Sequence, residues 1–389
     1  MAGLRPHSRT PLTVAILAVL ALAGMLAAPV AADAAKKRAG KGTKVKVMTR
    51  NLFLGADLGP AISAPNTAAF AAANGGILRD IDETDFPRRA RLLANEIRNK
   101  KPDLVGLQEV ALWRTAEPSA VPVLTGVPTA TDVKYDFLAL LLAEINRDQG
   151  KKAIRYRPVV AQPEFDFEAP ADYNEEADDG IEFPGFEDAE INGRLTMRDV
   201  ILRRMKAGVK VRNPRGGNFQ NPLELTVSGL PVTVTRGWTS TVARVRGSKR
   251  FKFVNTHLEA FDDESVQPSI RRLQALEVVN GPAKAKMPVV LLGDFNSDTV
   301  TEVQEGDAQA FRAILNAGFK HRATRNPRSC CVNDLFSAPP TQFDHVVDHV
   351  VAKPGKRVKR LASSVVGLSQ IGGIYPSDHA GVFSRLRIR

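Results

Sequence analysis

Four short apolar runs in this 389-residue chain each end in a polar residue of a type that chemistry needs. They are VMTRN, ending at Asn51; LVGLQE, at Glu109; FVNTH, at His257; and VVLLGDFN, at Asp294 and Asn296. Driving a Val- and Leu-rich strand into a carboxylate is costly unless that end opens onto water or a cation. One such end is ordinary, since Asp294 in LLGDFNSD can simply start a turn. Four, with Ser377-Asp378-His379 further on, describe a site at one edge of packed sheets.

The stretches between these strands carry helical periodicity. In FPRRARLLANEIRNKKPD the apolar stripe is Ala90, Leu93 and Ile97, with Pro87 near the start and Pro102 past the end. VKYDFLALLLAEINRDQG reads as a second helix, VQPSIRRLQALEVVNG and DAQAFRAILNAGF as two more. MRDVILRR, PVTVTRGW, STVARV, DHVVDHVVA and VFSRLRIR add strands, several without an intervening helix. The pattern predicts layered α/β, two packed sheets flanked by helices, in one domain over residues 44–389.

Ahead of that domain, Arg5, His7 and Arg9 precede LTVAILAVLALAGMLAA and a small-residue stretch, the pattern of a secretory signal peptide over residues 1–34, cut near Ala34. Residues 35–43 read as a flexible basic tail. No other stretch is long and apolar enough to be a membrane anchor, so the expectation is an exported monomer without a stable anchor. Net charge is +12, yet residues 164–190 hold twelve acids and no Lys or Arg. That segment reads as a solvated insertion loop, and the remaining surface is basic enough to attract phosphate-bearing partners. The cysteines, Cys330 and Cys331, are adjacent. They rule out a disulfide framework, offer no cysteine-based metal site, and leave a vicinal bridge, an intermolecular pair or free thiols open.

Carboxylates and amide oxygens without thiols favour a hard cation, Mg²⁺ or Mn²⁺. With two histidines and a basic surface, the chemistry indicated is metal-assisted phosphoester hydrolysis. The ordered segments TRNLFLGADL, LQEV, MRDVIL, VNTHLEA, LLGDFNSD, DHVV and YPSDHAGVF resemble the endonuclease/exonuclease/phosphatase superfamily. It includes pancreatic-type DNases, abasic-site endonucleases, inositol polyphosphate 5-phosphatases and neutral sphingomyelinases. The resemblance implies a four-layer α-β-β-α sandwich and a set of roles. Glu109 would be the principal Mg²⁺ ligand with Asn51 beside it. Asp294 and Asn296 would position or deprotonate the attacking water. His257 would contact phosphate oxygens, His379 would be the essential imidazole, and Asp378 would serve a second metal position or the hydrogen-bond network. Arg198 and Asp199 stand where the family often has a glycine, and no role carries over to them.

The run TQFDHVVDHVVA holds two Asp-His pairs. As a strand it puts Asp344 and Asp348 on one face and His345 and His349 on the other. The family has an Asp here that orients the catalytic imidazole, and strand length selects Asp348 as the partner of His379, with Asp344 a same-face neighbour and both other histidines structural. The leading functional expectation is an exported Mg²⁺-dependent phosphodiesterase with nucleic acid as substrate. A sphingomyelinase-like or inositol-phosphate hydrolase is the alternative, and a non-catalytic secreted binding protein is the reading of another class.

Overall fold

Alternation along the strands decides the layering. In β1 (Thr43–Asn51), Val45 and Val47 join one apolar cluster while Met48 joins another. In β12 (Val289–Asp294), Val290 and Leu292 join the first of these, and Val289 and Leu291 a third. Strands that are apolar at successive positions must be covered on both faces. That condition yields two sheets packed on each other, each with helices on its outer face.

The computed structural model describes residues 42–147, 150, 154–177, 179–262, 268–297, 300, 308–324 and 326–389. The expected signal peptide, and the tail up to residue 41, lie outside the described residues. Thr43, expected to belong to that tail, instead opens β1 and pairs with Ile388. Among the described residues, one sheet runs β15 (Val358–Val366), β16 (Gly381–Ile388), β1, β2 (Leu104–Gln108), β6 (Ile191–Arg204), β3 (Leu112–Ala116) and β4 (Asp132–Asp136), with β5 (Tyr156–Ala171) also on β6. The other runs β13 (Lys320–His321), β14 (Asp348–Lys353), β12, β11 (Phe251–His257), β10 (Gly237–Val245) and β7 (Val209–Asn218). A separate hairpin joins β8 (Leu223–Val227) to β9 (Leu230–Val234).

Helices Thr67–Glu83, Phe86–Lys100 and Phe137–Asn146 cover the first sheet through a cluster that includes Phe70, Phe86, Leu93 and Phe137. Helices Ile270–Asn280 and Gln309–Asn316 cover the second through Ala275, Val278, Phe311 and Ile314. The result is a four-layer α-β-β-α sandwich. Asp85 caps the helix it precedes by accepting from Arg88 N at 3.0 Å, and Lys101 ends it in the left-handed region. The sheets approach so closely at Gly106 that a Cβ there would lie 2.3 Å from Asn255 Oδ1.

Three expectations change. VKYD is not the first turn of a helix. Its residues close β4, and Asp136 then caps the helix by accepting from Leu138 N at 3.0 Å. The acidic segment is not a solvated loop throughout. Glu164 to Ala171 continue β5, where Glu168 is buried and accepts from Thr129 N, Ala130 N and Asn192 Nδ2 at 2.7–2.8 Å. Those donors replace water, so the charge no longer keeps the segment outside. Lastly, the strand in TQFDHVVDHVVA begins only at Asp348, because His345 is taken into a bridge with Cys330. Among the described residues no helix is long and apolar enough to cross a membrane.

Candidate active site

Strand register assembles the site. β11 and β12 are parallel with His257 opposite Asp294, and β12 and β14 are antiparallel with Asp294 opposite Asp348. Three polar residues therefore stand in one row across the second sheet. In the first sheet, β1 and β2 end together, with Asn51 opposite Gln108 and Glu109 following in the left-handed region.

Asp294 lies at the centre. Its Oδ2 is 3.6 Å from His257 Nε2, 3.6 Å from His379 Nε2 and 3.1 Å from Asn51 Nδ2, while Oδ1 accepts from Asn296 N at 2.9 Å. Burial pushes its pKa up, but the two imidazoles and these N–H donors outweigh burial and hold it below the usual carboxylate value. Gly293 makes the placement possible. It sits at φ +149°, and a Cβ there would meet Thr256 O at 1.8 Å.

The two histidines differ sharply. His379 Nδ1 is 2.8 Å from Asp348 Oδ2, and the carboxylates of Asp348, Asp294 and Asp378 overcome burial to hold its pKa well above the ordinary value. Burial also raises Asp348, so this pair holds its proton tightly. Asp344 is turned away and pairs with His345. His257 is instead pulled down to about 4 by burial and by Arg236, whose Nη1 is 3.4 Å from Nδ1. Its Nε2 is 3.2 Å from Asn296 Nδ2. At neutral pH the site thus contains one imidazolium and one neutral imidazole.

Glu109 is fixed by Asn51 Nδ2 on Oε1 and Leu54 N on Oε2, both at 2.8 Å. Asn51 Oδ1 accepts from Phe53 N at 2.9 Å. Asn51, expected as a cation ligand beside Glu109, stands beside that carboxylate and donates to both Glu109 and Asp294 through its amide N–H groups. Burial and the Glu109 charge push Asp378 up to about 6, partly offset by His379. Glu109 and Asp378 both line a cleft of about 660 Å³. The two carboxylates, facing one open cleft with the Glu109 charge raising the proton affinity of Asp378, fit a hard cation such as Mg²⁺ or Mn²⁺.

Several contributors carry no sequence signal. Buried Arg89 donates to Leu52 O at 2.7 Å and Pro376 O at 3.3 Å, tying the loop after β1 to the segment before Asp378. Arg50 bridges Glu96 at 3.0 Å and donates to His379 O. Behind His257, Glu164 and Asp199 form a buried acid pair: burial lifts Glu164 to about 8 and, with the Glu164 charge, Asp199 well above its usual value. Arg236 lines the cleft and bridges Glu259 at 3.3 Å. His349 lies away from the site, stacked on Phe311 with Nε2 2.8 Å from Ser297 O.

No curated protein matches the chain. Solved structures share its fold. An endonuclease/exonuclease/phosphatase family protein from Leptotrichia buccalis C-1013-b superposes with a TM-score of 0.52 at 14% identity, covering 88% of this chain and 100% of that one. Family proteins from Bacteroides vulgatus (17% identity, 89% and 100% covered) and Bacteroides thetaiotaomicron (15%, 90% and 99%) each give 0.50. The model of the Endonuclease/Exonuclease/phosphatase family matches residues 73–379, most of the chain, from the helix Thr67–Glu83 through to His379, and the protein belongs to that family of phosphoester hydrolases.

Proposed function

We propose that the protein is a divalent-metal-dependent hydrolase of compact phosphoesters. The observation that carries this reading is the carboxylate of Asp294, ionised and set 3.6 Å from both His379 and His257. Glu109 and Asp378 would hold Mg²⁺ or Mn²⁺, which when bound polarises a phosphoryl oxygen and neutralises charge developing on it. Asp294 and Asn296 orient the attacking water, and Asp294 accepts its proton. The His379 imidazolium, locked by Asp348, meets the negative phosphoryl oxygens and can supply a proton to the leaving oxygen. His257, neutral beside Arg236, adds a hydrogen bond without adding charge.

Two observations favour a small substrate with an uncharged or apolar leaving group. The cleft beside Glu109 and Asp378 is also lined by Asp57, Asp80, Glu83 and Asp334, with Arg236 as the one cation among its described lining residues. A polynucleotide would bring flanking phosphates against those carboxylates. An apolar cavity of about 100 Å³, lined by Phe70, Trp113, Phe167 and Leu195, shares Arg236, Met197 and Phe261 with the cleft. Nucleic acid is the second reading, favoured by the net charge of +12. The leader pattern of residues 1–34 supports export.

A panel of DNA, RNA, phospholipid, inositol phosphates and aryl phosphodiesters, assayed with Mg²⁺, tests both readings. EDTA should abolish turnover and Mg²⁺ or Mn²⁺ restore it. Turnover of DNA or RNA that falls steeply with salt, with none on small esters, would reverse the order of substrates. Activity that survives both EDTA and His379→Ala would overturn the mechanism.

A further inference from the structure

Cys330 and Cys331 are joined as a vicinal disulfide, and Cys331 Sγ lies 3.4 Å from His379 Nε2. The segment that carries them is stitched to both halves of the His379–Asp348 pair. His345 N donates to Cys330 O and Asp344 N to the same oxygen, each at 2.9 Å, on the path leading into Asp348. On the other side Val332 N donates to Asp378 O at 3.0 Å and Ala380 N to Ser329 O at 2.7 Å, flanking His379. Cys331 Sγ is thus held beside the same ring nitrogen that lies 3.6 Å from Asp294 Oδ2. Cys330 is buried and Cys331 half-buried, so the bridge can be approached from the Cys331 side.

Two adjacent cysteines alone make no metal site, and folding supplies the missing ligand. The two Sγ atoms and a ring nitrogen of His379 lie within 4.8 Å of one another. In a tetrahedral site a thiolate sulfur and an imidazole nitrogen on one zinc ion stand about 3.5 Å apart, close to the separation found here. His379 is also prepared as a ligand, because Asp348 occupies Nδ1 and leaves Nε2 directed at the sulfurs, the carboxylate–histidine arrangement that orients metal-bound imidazoles.

We propose that reduction of Cys330–Cys331 opens a site for a thiophilic divalent cation, Zn²⁺ or Cd²⁺, made by both thiolates and His379 Nε2. The disulfide in the oxidised chain keeps this site closed. A dithiol reductant opens it: two electrons and two protons pass to the bridge, leaving two protein thiols and the reductant's cyclic disulfide. Cation binding then releases the two thiol protons together with the proton on His379 Nε2, and occupies the nitrogen that the hydrolytic reaction uses. Soft sulfur ligands separate this site from the oxygen site at Glu109 and Asp378, which suits Mg²⁺.

Cd²⁺ titration of the full chain, with and without prior reduction, tests this directly through the ultraviolet thiolate-to-Cd²⁺ charge-transfer band. The reduced protein should take up one equivalent with that band; the oxidised protein and the Cys330→Ser/Cys331→Ser variant should show none. His379→Ala should weaken Cd²⁺ binding more than tenfold, and Asp348→Asn, which keeps all three ligands, by about tenfold. Circular dichroism of each variant separates ligand loss from unfolding. A reduced chain without the band, or one whose Cd²⁺ affinity ignores His379→Ala, would overturn the proposal. These arms hold whatever the substrate. Only a further arm rests on the hydrolase reading: Cd²⁺ should inhibit the reduced enzyme and spare the oxidised one.

Discussion

His257 and His379 end up equally far from the same carboxylate oxygen, yet their surroundings send them in opposite directions. His379 is backed by Asp348 and surrounded by Asp294 and Asp378, so it keeps its proton. His257 is backed by Arg236 and buried, so it loses its own at about 4. Burial penalises the charged form at both positions, and the sign of the nearest fixed charge decides the outcome. One phosphoester can therefore be offered a proton on one side and a neutral hydrogen bond on the other.

The comparison is broken most directly by truncating each ring. His379→Ala should lower kcat by about 10³–10⁴, the upper range for a positioned acid or base, and His257→Ala by about 10–10². Equal losses in kcat would show that the difference in charge is not used. Stability should also respond oppositely to pH in EDTA-treated protein. His257 has a folded pKa below its unfolded value near 6.5, so its contribution is present above pH 6.5 and lost as pH falls toward 4, up to about 3 kcal/mol. His379 has a raised pKa, so its contribution is complete below pH 6.5 and lost as pH rises through the folded value. Urea unfolding across pH should therefore show His257→Gln flattening the acid limb and His379→Gln the alkaline limb. His321, also lowered to about 4 by burial and by Arg360 and Arg322, preserves part of the acid limb in either variant.

Asp348→Asn sharpens the contrast by removing the charge behind His379 while keeping a hydrogen-bonding side chain. It should cost about 10² in kcat and move the pH–rate profile, whereas Asp344→Asn should leave both unchanged. A smaller effect comes from spacing. Gly106→Ala would force the sheets apart at Asn255 and Leu292 and should cost about 1–3 kcal/mol in urea unfolding, because overpacking displaces both faces. Both histidines should then lose activity support together, since His257 ends β11 and His379 is held by Asp348 on β14 of that same sheet.

The strands that carry the site are legible in the sequence because an apolar run that closes on Asn51, Glu109, His257 or Asp294 is costly to bury unless its end meets water or a cation. What stays hidden depends on contacts between distant segments. Nothing local shows that Thr129 and Asn192 donate to buried Glu168, or that Arg89 links Leu52 to Pro376. Helix Thr67–Glu83 carries Gly75 and Gly76, which count against helix by propensity. Gly75 is there because the helix lies against Asp172, whose carbonyl oxygen would be 1.5 Å from a Cβ. Within the doubled Asp-His run, strand length points to the carboxylate that does lie beside His379, Asp348. The same run does not show where its strand begins, since the bridge that holds His345 out of the ladder comes from Cys330, on a separate segment.

The row formed by His257, Asp294 and Asp348 has a consequence for how such a protein can change over time. Each of the three is held by ladder hydrogen bonds that also seat core residues such as Phe253, Leu292 and Val350 on their proper face. A one-residue slip would turn the chemical groups into the core and the core into the cleft at once. Drift in these strands is therefore filtered by foldability before it is ever tested for turnover. Segments outside any ladder, such as the turns after Ala171, face no such filter. New substrates can be sampled there while the reaction itself stays fixed.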